Sequence, residues 1–242
     1  MRRRSAWRSS ARVALAAAAL LACAGAPRLR DPAKSGVWGY LRLVPHEGVR
    51  AQDIAGATGG YGDRRYADAP LVDYSKPGFA VVYLDGEAVD GPPVALALRA
   101  GAAGLRFEPD TGAVAAGGRV VVENRSGAAR VVSCPAAGVL RRVEDGASLA
   151  FQAGRAGELE VFAPDDPRAR ARVFAAPGPF AAVDEAGRYA LLDVEPGARR
   201  LHAWHSRLPP AARAVELAPG TVTRVDLELG VGHAGGEGGD AR

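Results

Sequence analysis

The body of the chain is a series of short apolar runs, and this pattern restricts the fold more than any other feature. Each run is rich in β-branched or aromatic residues, and clusters of Pro, Gly and Asp separate it from the next. Many short strands with such turns between them indicate sandwiches or barrels, and no segment after residue 22 keeps a helical apolar period. We therefore predict an all-β protein. The predicted strands are 37–44, 79–84, 94–98, 119–123, 129–133, 148–152, 158–162, 172–175, 188–192, 199–205, 214–217 and 222–229.

The first 22 residues have the layout of an export signal. Arginines without any acidic residue occupy positions 1–12, and the apolar run 13–22 that follows is too short to span a bilayer. The run ends in Leu-Leu-Ala before Cys23, which resembles a bacterial lipobox. Cleavage there would leave Cys23 with two or three acyl chains, enough for stable anchoring. We predict a lipoprotein-type signal peptide over 1–22, a lipidated Cys23 and a tether over 23–35. The alternative is a secretory signal cut near Ala24 or Ala26.

The leader also explains the charge of the chain. The formal net charge is +4, with 31 basic and 27 acidic residues. Five of the basic residues are leader arginines, so the remaining 26 against 27 acidic residues leave a net charge near −1. A nearly neutral body gives no electrostatic reason to expect nucleic acid as a partner. We predict a location on the periplasmic side of a bacterial cell envelope, anchored in the outer rather than the inner membrane, or secretion.

Residues that could perform chemistry are few. If Cys23 carries lipid, Cys134 is the one thiol left, and no neighbouring base in the sequence activates it, so a buried structural thiol is the favoured interpretation. His202 and His205 fall on opposite faces of a strand, which makes them a poor metal pair. Sequence motifs of zinc proteases, serine hydrolases and phosphate-binding loops are missing. We therefore predict a protein that is not an enzyme and has no cofactor.

The last part of the chain carries a family resemblance. The segment PFAAVDEAGRYALLDVEPGARRLHAWH places Asp184 and Gly187 in a hairpin turn, followed by a Pro196-Gly197 turn. This resembles the carboxypeptidase regulatory-like (transthyretin-like) domain, except that Arg199 stands where a tyrosine is usual. That domain needs two earlier strands, which 37–44 and 79–84 would supply. Residues 87–176 would then be an insertion.

The inserted stretch resembles a second family, the cupredoxins of the methylamine-utilisation type. LRFEPDTGAVAAGGRVVVENRSGAARVVSCP and GELEVFAPDDPRARARVFA follow its pattern, and Trp204-His205-Ser206 stands where that family has Trp-His-Glu. The matching positions are Phe107, Pro109, Val114, Gly117, Val120, Val122, Asn124, Gly157, Glu160, Val161, Phe162, Pro167, Ala171 and Val173.

The resemblance implies that the copper ligands have been lost. The first histidine position falls on Arg130, the cysteine on Ala163, the second histidine on Asp166 and the methionine on Ala169. A blue-copper site needs two imidazoles, a thiolate and a weak axial ligand, and Arg and Ala offer none of these. We therefore predict no bound metal. An alternative alignment, with Cys134 as the thiolate, has no histidine nearby in the sequence.

Three local hypotheses accompany this interpretation. Arg130 and Asp166 carry opposite charges and could form a salt bridge where the metal would have been. The side chain of Asn124 could stabilise the turn before Arg130. The irregular segment 45–76, with Tyr61, Tyr66 and Tyr74, could be a surface for sugar or protein, or its tyrosines could simply cover the sandwich edge. All three are expectations from sequence.

Together these features predict a cupredoxin-like Greek-key sandwich inserted into a seven-stranded regulatory-like (prealbumin-like) β-sandwich. The regulatory-like part is 36–86 with 177–230, the cupredoxin-like part without a copper site is 87–176, and 231–242 is a disordered tail. The expected function is a non-catalytic binding or scaffolding module, held to the membrane by its lipid and facing an unknown envelope protein or glycan. The alternatives are a copper-binding or electron-transfer protein and a carbohydrate-binding accessory module.

Overall fold

The structure is a computed structural model that describes residues 27–45 and 72–231. The predicted signal peptide, Cys23, Tyr61, Tyr66 and the tail from residue 232 onward lie outside the described residues. Among the described residues, no helix is long and apolar enough to cross a membrane.

The prediction of an all-β fold is confirmed. The described residues form seventeen strands and one 3₁₀ turn, Pro135–Ala137. The strands are β1 (Ser35–Leu43), β2 (Ala80–Leu84), β3 (Val94–Gly101), β4 (Gly104–Glu108), β5 (Thr111–Ala115), β6 (Arg119–Arg125), β7 (Arg130–Cys134), β8 (Val139–Val143), β9 (Ser148–Gln152), β10 (Gly157–Phe162), β11 (Arg170–Ala176), β12 (Phe180–Ala182), β13 (Arg188–Val194), β14 (Gly197–His205), β15 (Leu208–Leu217), β16 (Val222–Arg224) and β17 (Leu227–Leu229).

The first sandwich is built from both ends of the described chain. One sheet has the order β13-β1-β16, with β17 also paired to β1, and the other has the order β12-β2-β14-β15. Because β16 and β17 follow each other along the same side of β1, the sandwich has seven strand positions. Its core is one cluster of buried side chains. The largest members are Val37, Leu41, Leu84, Tyr189, Leu201, Leu217 and Leu229.

The second sandwich is formed by the intervening residues. Its sheets have the orders β5-β11-β10-β7-β8 and β4-β3-β6-β9. The strands alternate buried and exposed side chains, as half-buried strands do. The core is a separate cluster that includes Leu96, Leu98, Phe107, Val120, Val122, Val132, Cys134, Leu159, Val161 and Val173. Each sandwich therefore has its own hydrophobic core.

Four observed strands were not predicted from the sequence, and one predicted strand is divided into two. β12 has three residues, β4 has only Leu105 and Phe107 as apolar side chains, β5 is made largely of small residues, and β8 exposes Leu140 on a sheet edge. None of them has the continuous apolar run that marks a strand. The predicted strand 222–229 breaks at 225–226. There the Val225 carbonyl crosses directly over Gly39, at a position where any β-carbon on residue 39 would collide with it.

An aromatic layer joins the two sandwiches. We define it as Phe79, Tyr83 and Trp204 of the first sandwich with Phe174 of the second. The rings of Phe174 and Trp204 stack with centroids 4.3 Å apart. The ring of Tyr83 lies 5.6 Å from that of Phe174, and the ring of Phe79 lies 5.6 Å from that of Trp204. On the far side of Tyr83, the imidazole of His202 stacks at 4.8 Å. Such pairs add to the stabilisation from apolar burial.

Removing the central ring tests how strongly this layer holds the protein together. Phe174 is 3% exposed, so Phe174→Ala should lower the free energy of unfolding by about 3 kcal/mol, the usual cost of emptying a buried aromatic site. The measurement is urea unfolding followed by tryptophan fluorescence, because Trp204 lies in the layer.

The matched control is Leu140→Ala, at a side chain that is 63% exposed on β8. It should change stability by less than about 0.5 kcal/mol. Equal effects of the two substitutions would show that the layer contributes no more than an ordinary surface position.

Candidate functional site

The four positions that the predicted resemblance assigns to copper ligands lie at one end of the second sandwich. Ala163, Asp166 and Ala169 lie in the connection between β10 and β11, and Arg130 begins β7, which pairs with β10. The connection is tightly closed. The Ala163 N–H donates to the Ala169 carbonyl (3.0 Å), and the Asp166 N–H donates to the Ala163 carbonyl (3.0 Å). The fold thus places Arg130 beside the connection that contains Ala163, Asp166 and Ala169.

Arg130 does not pair with Asp166, and the predicted salt bridge is wrong. The Arg130 guanidinium lies 3.9 Å from the carboxylate of Asp165, the preceding residue, and its Nε donates to the Ser126 hydroxyl (3.3 Å). Strand pairing explains the difference. In the antiparallel register of β7 and β10, Phe162 faces Ser133, so extending it three residues places Arg130 opposite Asp165.

The Asp166 carboxylate binds main-chain amides instead. One oxygen accepts the Leu105 N–H (2.9 Å) and the other accepts the Arg168 N–H (3.0 Å). These bonds to Leu105 and Arg168 lower the pKa of Asp166, because they favour the charged carboxylate. Gly104, at φ 112°, makes room for it, since a β-carbon there would lie 2.3 Å from the carboxylate. Asp166 therefore ties the β10–β11 connection to the β3–β4 turn.

Asn124 holds the turn that leads into Arg130, as the sequence predicted. Its side chain is fully buried, and its amide donates to the carbonyls of Ala128 (2.8 Å) and Val143 (2.9 Å). Its own oxygen accepts the Ser126 N–H (3.1 Å). All the hydrogen bonds of this amide are internal, so its role is structural.

These side chains do not fit copper. Ala163 and Ala169 are completely buried and present only methyl groups, the Arg130 guanidinium has no lone pair to donate, and both Asp166 oxygens are already hydrogen-bonded. Within residues 27–45 and 72–231 there is no group of three His, Cys, Asp or Glu side chains placed to hold a metal.

Cys134, His202 and His205 each lie in surroundings that suit a structural role. Cys134 is a buried free thiol in the second core, and burial raises its pKa, which opposes formation of a reactive thiolate. His202 points away from the first core and bonds to the Asp85 carboxylate (2.6 Å), whereas His205 is buried on the other side of β14. The prediction that the two imidazoles face opposite sides is confirmed.

Tyr74 is the described member of the tyrosine segment. It is half-buried and packs against the core of the first sandwich with Val72. The position of Tyr74 agrees with the alternative in which the tyrosines of segment 45–76 cover the sandwich edge. The hypothesis of a sugar-binding surface rests on Tyr61 and Tyr66, which lie outside the described residues.

An open cleft of about 1010 Å³ lies beside the aromatic layer. It is bordered by the segment that follows β2, by β12, by β13 and by Ala113 on β5 of the second sandwich. Sequence reasoning did not find this cleft, because its residues come from four distant places in the chain. One feature of the sequence pointed to the cleft, because Arg199, which departs from the regulatory-like pattern, lines it. Its lining residues are Lys34, 84–87, 89–92, Ala113, 179–182, 190–195 and Arg199.

The cleft is acidic at its rim and apolar inside. Five acidic side chains against two basic ones leave a formal excess of three negative charges; they are Asp85, Glu87, Asp90, Asp193 and Glu195 against Lys34 and Arg199. Lys34 is paired with Glu195, and Asp193 accepts the N–H groups of Arg30 and Asp31. Glu87 and Asp90 are exposed, and neither has a hydrogen bond or ion pair with another described residue.

The role of Asp166 can be tested by removing its charge. Asp166→Asn keeps the shape but replaces one amide-binding oxygen by an NH₂ group, so the midpoint of thermal unfolding should fall at neutral pH. The folded-state pKa is lowered, so this stabilisation is complete above the unfolded aspartate pKa of about 3.9 and is lost as pH falls through the lower folded value. The gap in melting temperature between wild type and variant should therefore close in acid.

Asp165→Asn is the matched control in the same connection, because its contact with Arg130 is long and exposed. It should change the melting temperature little at any pH. An Asp166→Asn protein that melts with the wild type at neutral pH, or a gap that persists unchanged in acid, would contradict the assigned role.

Comparison with known proteins finds structural similarity only. No protein-family model matches the chain, and no curated protein matches it. Solved structures that resemble part of it include cupredoxins. The purple cupredoxin from Nitrosopumilus maritimus shares 13% identity, covering 34% of this chain and 99% of its own, with a TM-score of 0.30. Amicyanin from Paracoccus versutus shares 15% identity, covering 39% of this chain and 96% of its own, also with a TM-score of 0.30.

Proposed function

We propose that this protein is an exported, lipid-anchored, non-catalytic binding module of the bacterial cell envelope, and that its ligand site is the acidic cleft. Cys23 is the proposed anchor, and the outer membrane is the proposed destination. Residues 36–86 with 177–230 form the proposed regulatory-like unit, and 87–176 form a cupredoxin-like unit that has lost its copper ligands. The leader pattern and the two separate cores support this organisation.

The single observation that carries the proposal is the cleft. Ligand sites in proteins are concave, largely apolar and provided with a few polar groups that orient the ligand. The cleft combines these features, with Phe180 and Leu192 inside and the free carboxylates of Glu87 and Asp90 at the rim. It also lies where two sandwiches meet, a common place for binding sites.

The side chains at the four aligned positions favour a binding role over electron transfer. A mobile electron carrier of this fold needs a soft thiolate and imidazoles around one ion. The aligned positions offer two methyl groups, a guanidinium and a carboxylate held by amides. The chemistry of these side chains suits a closed loop that supports the sandwich.

Photo-crosslinking in living cells tests the proposal. A photoreactive amino acid is placed at Phe180, inside the cleft, and as a matched control at Leu140, which is 63% exposed on the distant edge strand β8. Irradiation should give a discrete adduct from position 180 that is much weaker from position 140. The adduct should diminish when Glu87→Gln and Asp90→Asn are added, because the rim charges then no longer attract the ligand.

The same cells report on the anchor. Wild-type protein should incorporate labelled palmitate and sediment with outer membranes, and Cys23→Ser should do neither, because the thiol that accepts lipid is gone. Equal crosslinking from both positions, or none from position 180, would contradict binding in the cleft. Unchanged membrane attachment of Cys23→Ser would contradict the lipid anchor.

A further inference from the structure

The cleft is bordered by a sheet edge whose main-chain groups have no strand beside them. Among the described strands, β13 pairs only with β1. The Leu41 N–H donates to the Gly187 carbonyl (2.7 Å), so in this antiparallel register residues 187, 189 and 191 bond to β1. Main-chain groups of successive residues point to opposite edges of a strand. The N–H and C=O groups of Ala190, and the N–H of Leu192, therefore point away from β1. Both residues line the cleft.

The opposite wall has the same property. β12 pairs with β2, and the Leu84 N–H donates to the Pro179 carbonyl (2.9 Å) while the Val183 N–H donates to the Ala80 carbonyl (3.0 Å). Residues between these bonded positions, Phe180 and Ala182, therefore turn their main-chain groups away from β2. The cleft is thus the seam between two sheet edges of one sandwich, and both edges are available for hydrogen bonding.

Exposed edges usually carry a protective device, because they can recruit another chain. Proline and inward-pointing lysine are typical of such protection, and β13 (RYALLDV) contains neither. The edge stops only at Asp193, whose φ of 56° breaks the ladder and whose carboxylate accepts the Arg30 N–H at 2.9 Å. Before this bulge the open part of the edge is Ala190 and Leu192, because the outward main-chain groups of Arg188 bond to Asp184.

The surroundings select the kind of chain that could pair here. Phe180, Leu192 and Val89, which is 55% exposed, offer apolar contact along the cleft. Glu87 and Asp90 place negative charge at the rim without a described partner. An added strand would therefore match the cleft if it alternated apolar and basic side chains.

We propose that the cleft binds an extended, basic polypeptide segment of another protein, which adds as a strand to the free edge of β13. This rests on the proposed function, since it names the partner class for the same cleft. Main-chain hydrogen bonds to Ala190 and Leu192 provide affinity, and the apolar and acidic groups around them provide selectivity, as in other cases of strand addition. β13 is chosen over β12 because it is longer, with seven residues against three.

The probe is an acetylated, amidated heptapeptide of alternating Val and Arg, tested on the full chain in detergent. Two control peptides have the same length: one with Glu in place of Arg, and one N-methylated on alternate residues. N-methylation keeps charge and apolar groups but removes the donors that a strand needs. Affinity is measured by calorimetry, and amide hydrogen exchange is measured with and without the peptide.

The key variant is Ala190→Pro. Proline is tolerated on an edge strand where the N–H faces away from the sheet, so the protein should stay folded. It removes the donor and blocks the edge, and binding should weaken about tenfold or more. Leu140→Val is the control, because Leu140 lies on the edge strand β8 outside the cleft and the variant should bind as the wild type does. Glu87→Gln with Asp90→Asn should weaken binding about threefold and reduce its dependence on salt.

The expected result is binding of the basic peptide, loss of binding for both control peptides, and slowed exchange of the Ala190 and Leu192 amides. No binding of the basic peptide, equal binding of its N-methylated form, or unchanged exchange at both amides would overturn strand addition. Any of these results leaves the crosslinking test of the cleft unaffected. A cleft that crosslinks in cells but ignores the peptide would contradict the partner class and not the binding module.

Discussion

The stacking of Phe174 on Trp204 is the contact on which the arrangement of the whole molecule depends. Each sandwich has its own core, and the aromatic layer joins one to the other. The layer also reaches the cleft. Tyr83 stacks on His202, whose imidazole bonds to Asp85 at the cleft rim. The position of Ala113 opposite β12 and β13, and with it the shape of the cleft, follows from how these rings pack.

At the end of the second sandwich, the connection between β10 and β11 is held by internal hydrogen bonds. Here the loop closes on itself through main-chain hydrogen bonds, and the Asp166 carboxylate connects it to Leu105. The buried methyl groups of Ala163 and Ala169 fill the space between. The connection thus serves as an ordinary part of the sandwich.

Sequence reasoning predicted most of this architecture and little of the cleft. Strands with alternating or continuous apolar residues were found, because the periodicity of a strand is local, and so was the Asn124 turn. The missed strands β5 and β8 are made of small or exposed residues and are set by pairing with a neighbour. The partner of Arg130 was missed for a similar reason, since the register of β7 and β10 decides between Asp165 and Asp166. The cleft joins four distant segments, and spacing along the chain does not reveal such a juxtaposition.

Copper titration tests most directly whether the protein acts without metal chemistry. Purified full-length protein is mixed with Cu(II) and then with Cu(I), and is examined by native mass spectrometry and visible absorption. We expect no stoichiometric copper and no intense visible band of a thiolate–copper centre, because the aligned positions hold two alanines, a guanidinium and an amide-bound carboxylate. One tightly bound copper with that band, lost in Cys134→Ser, would contradict the account and restore an electron-transfer role.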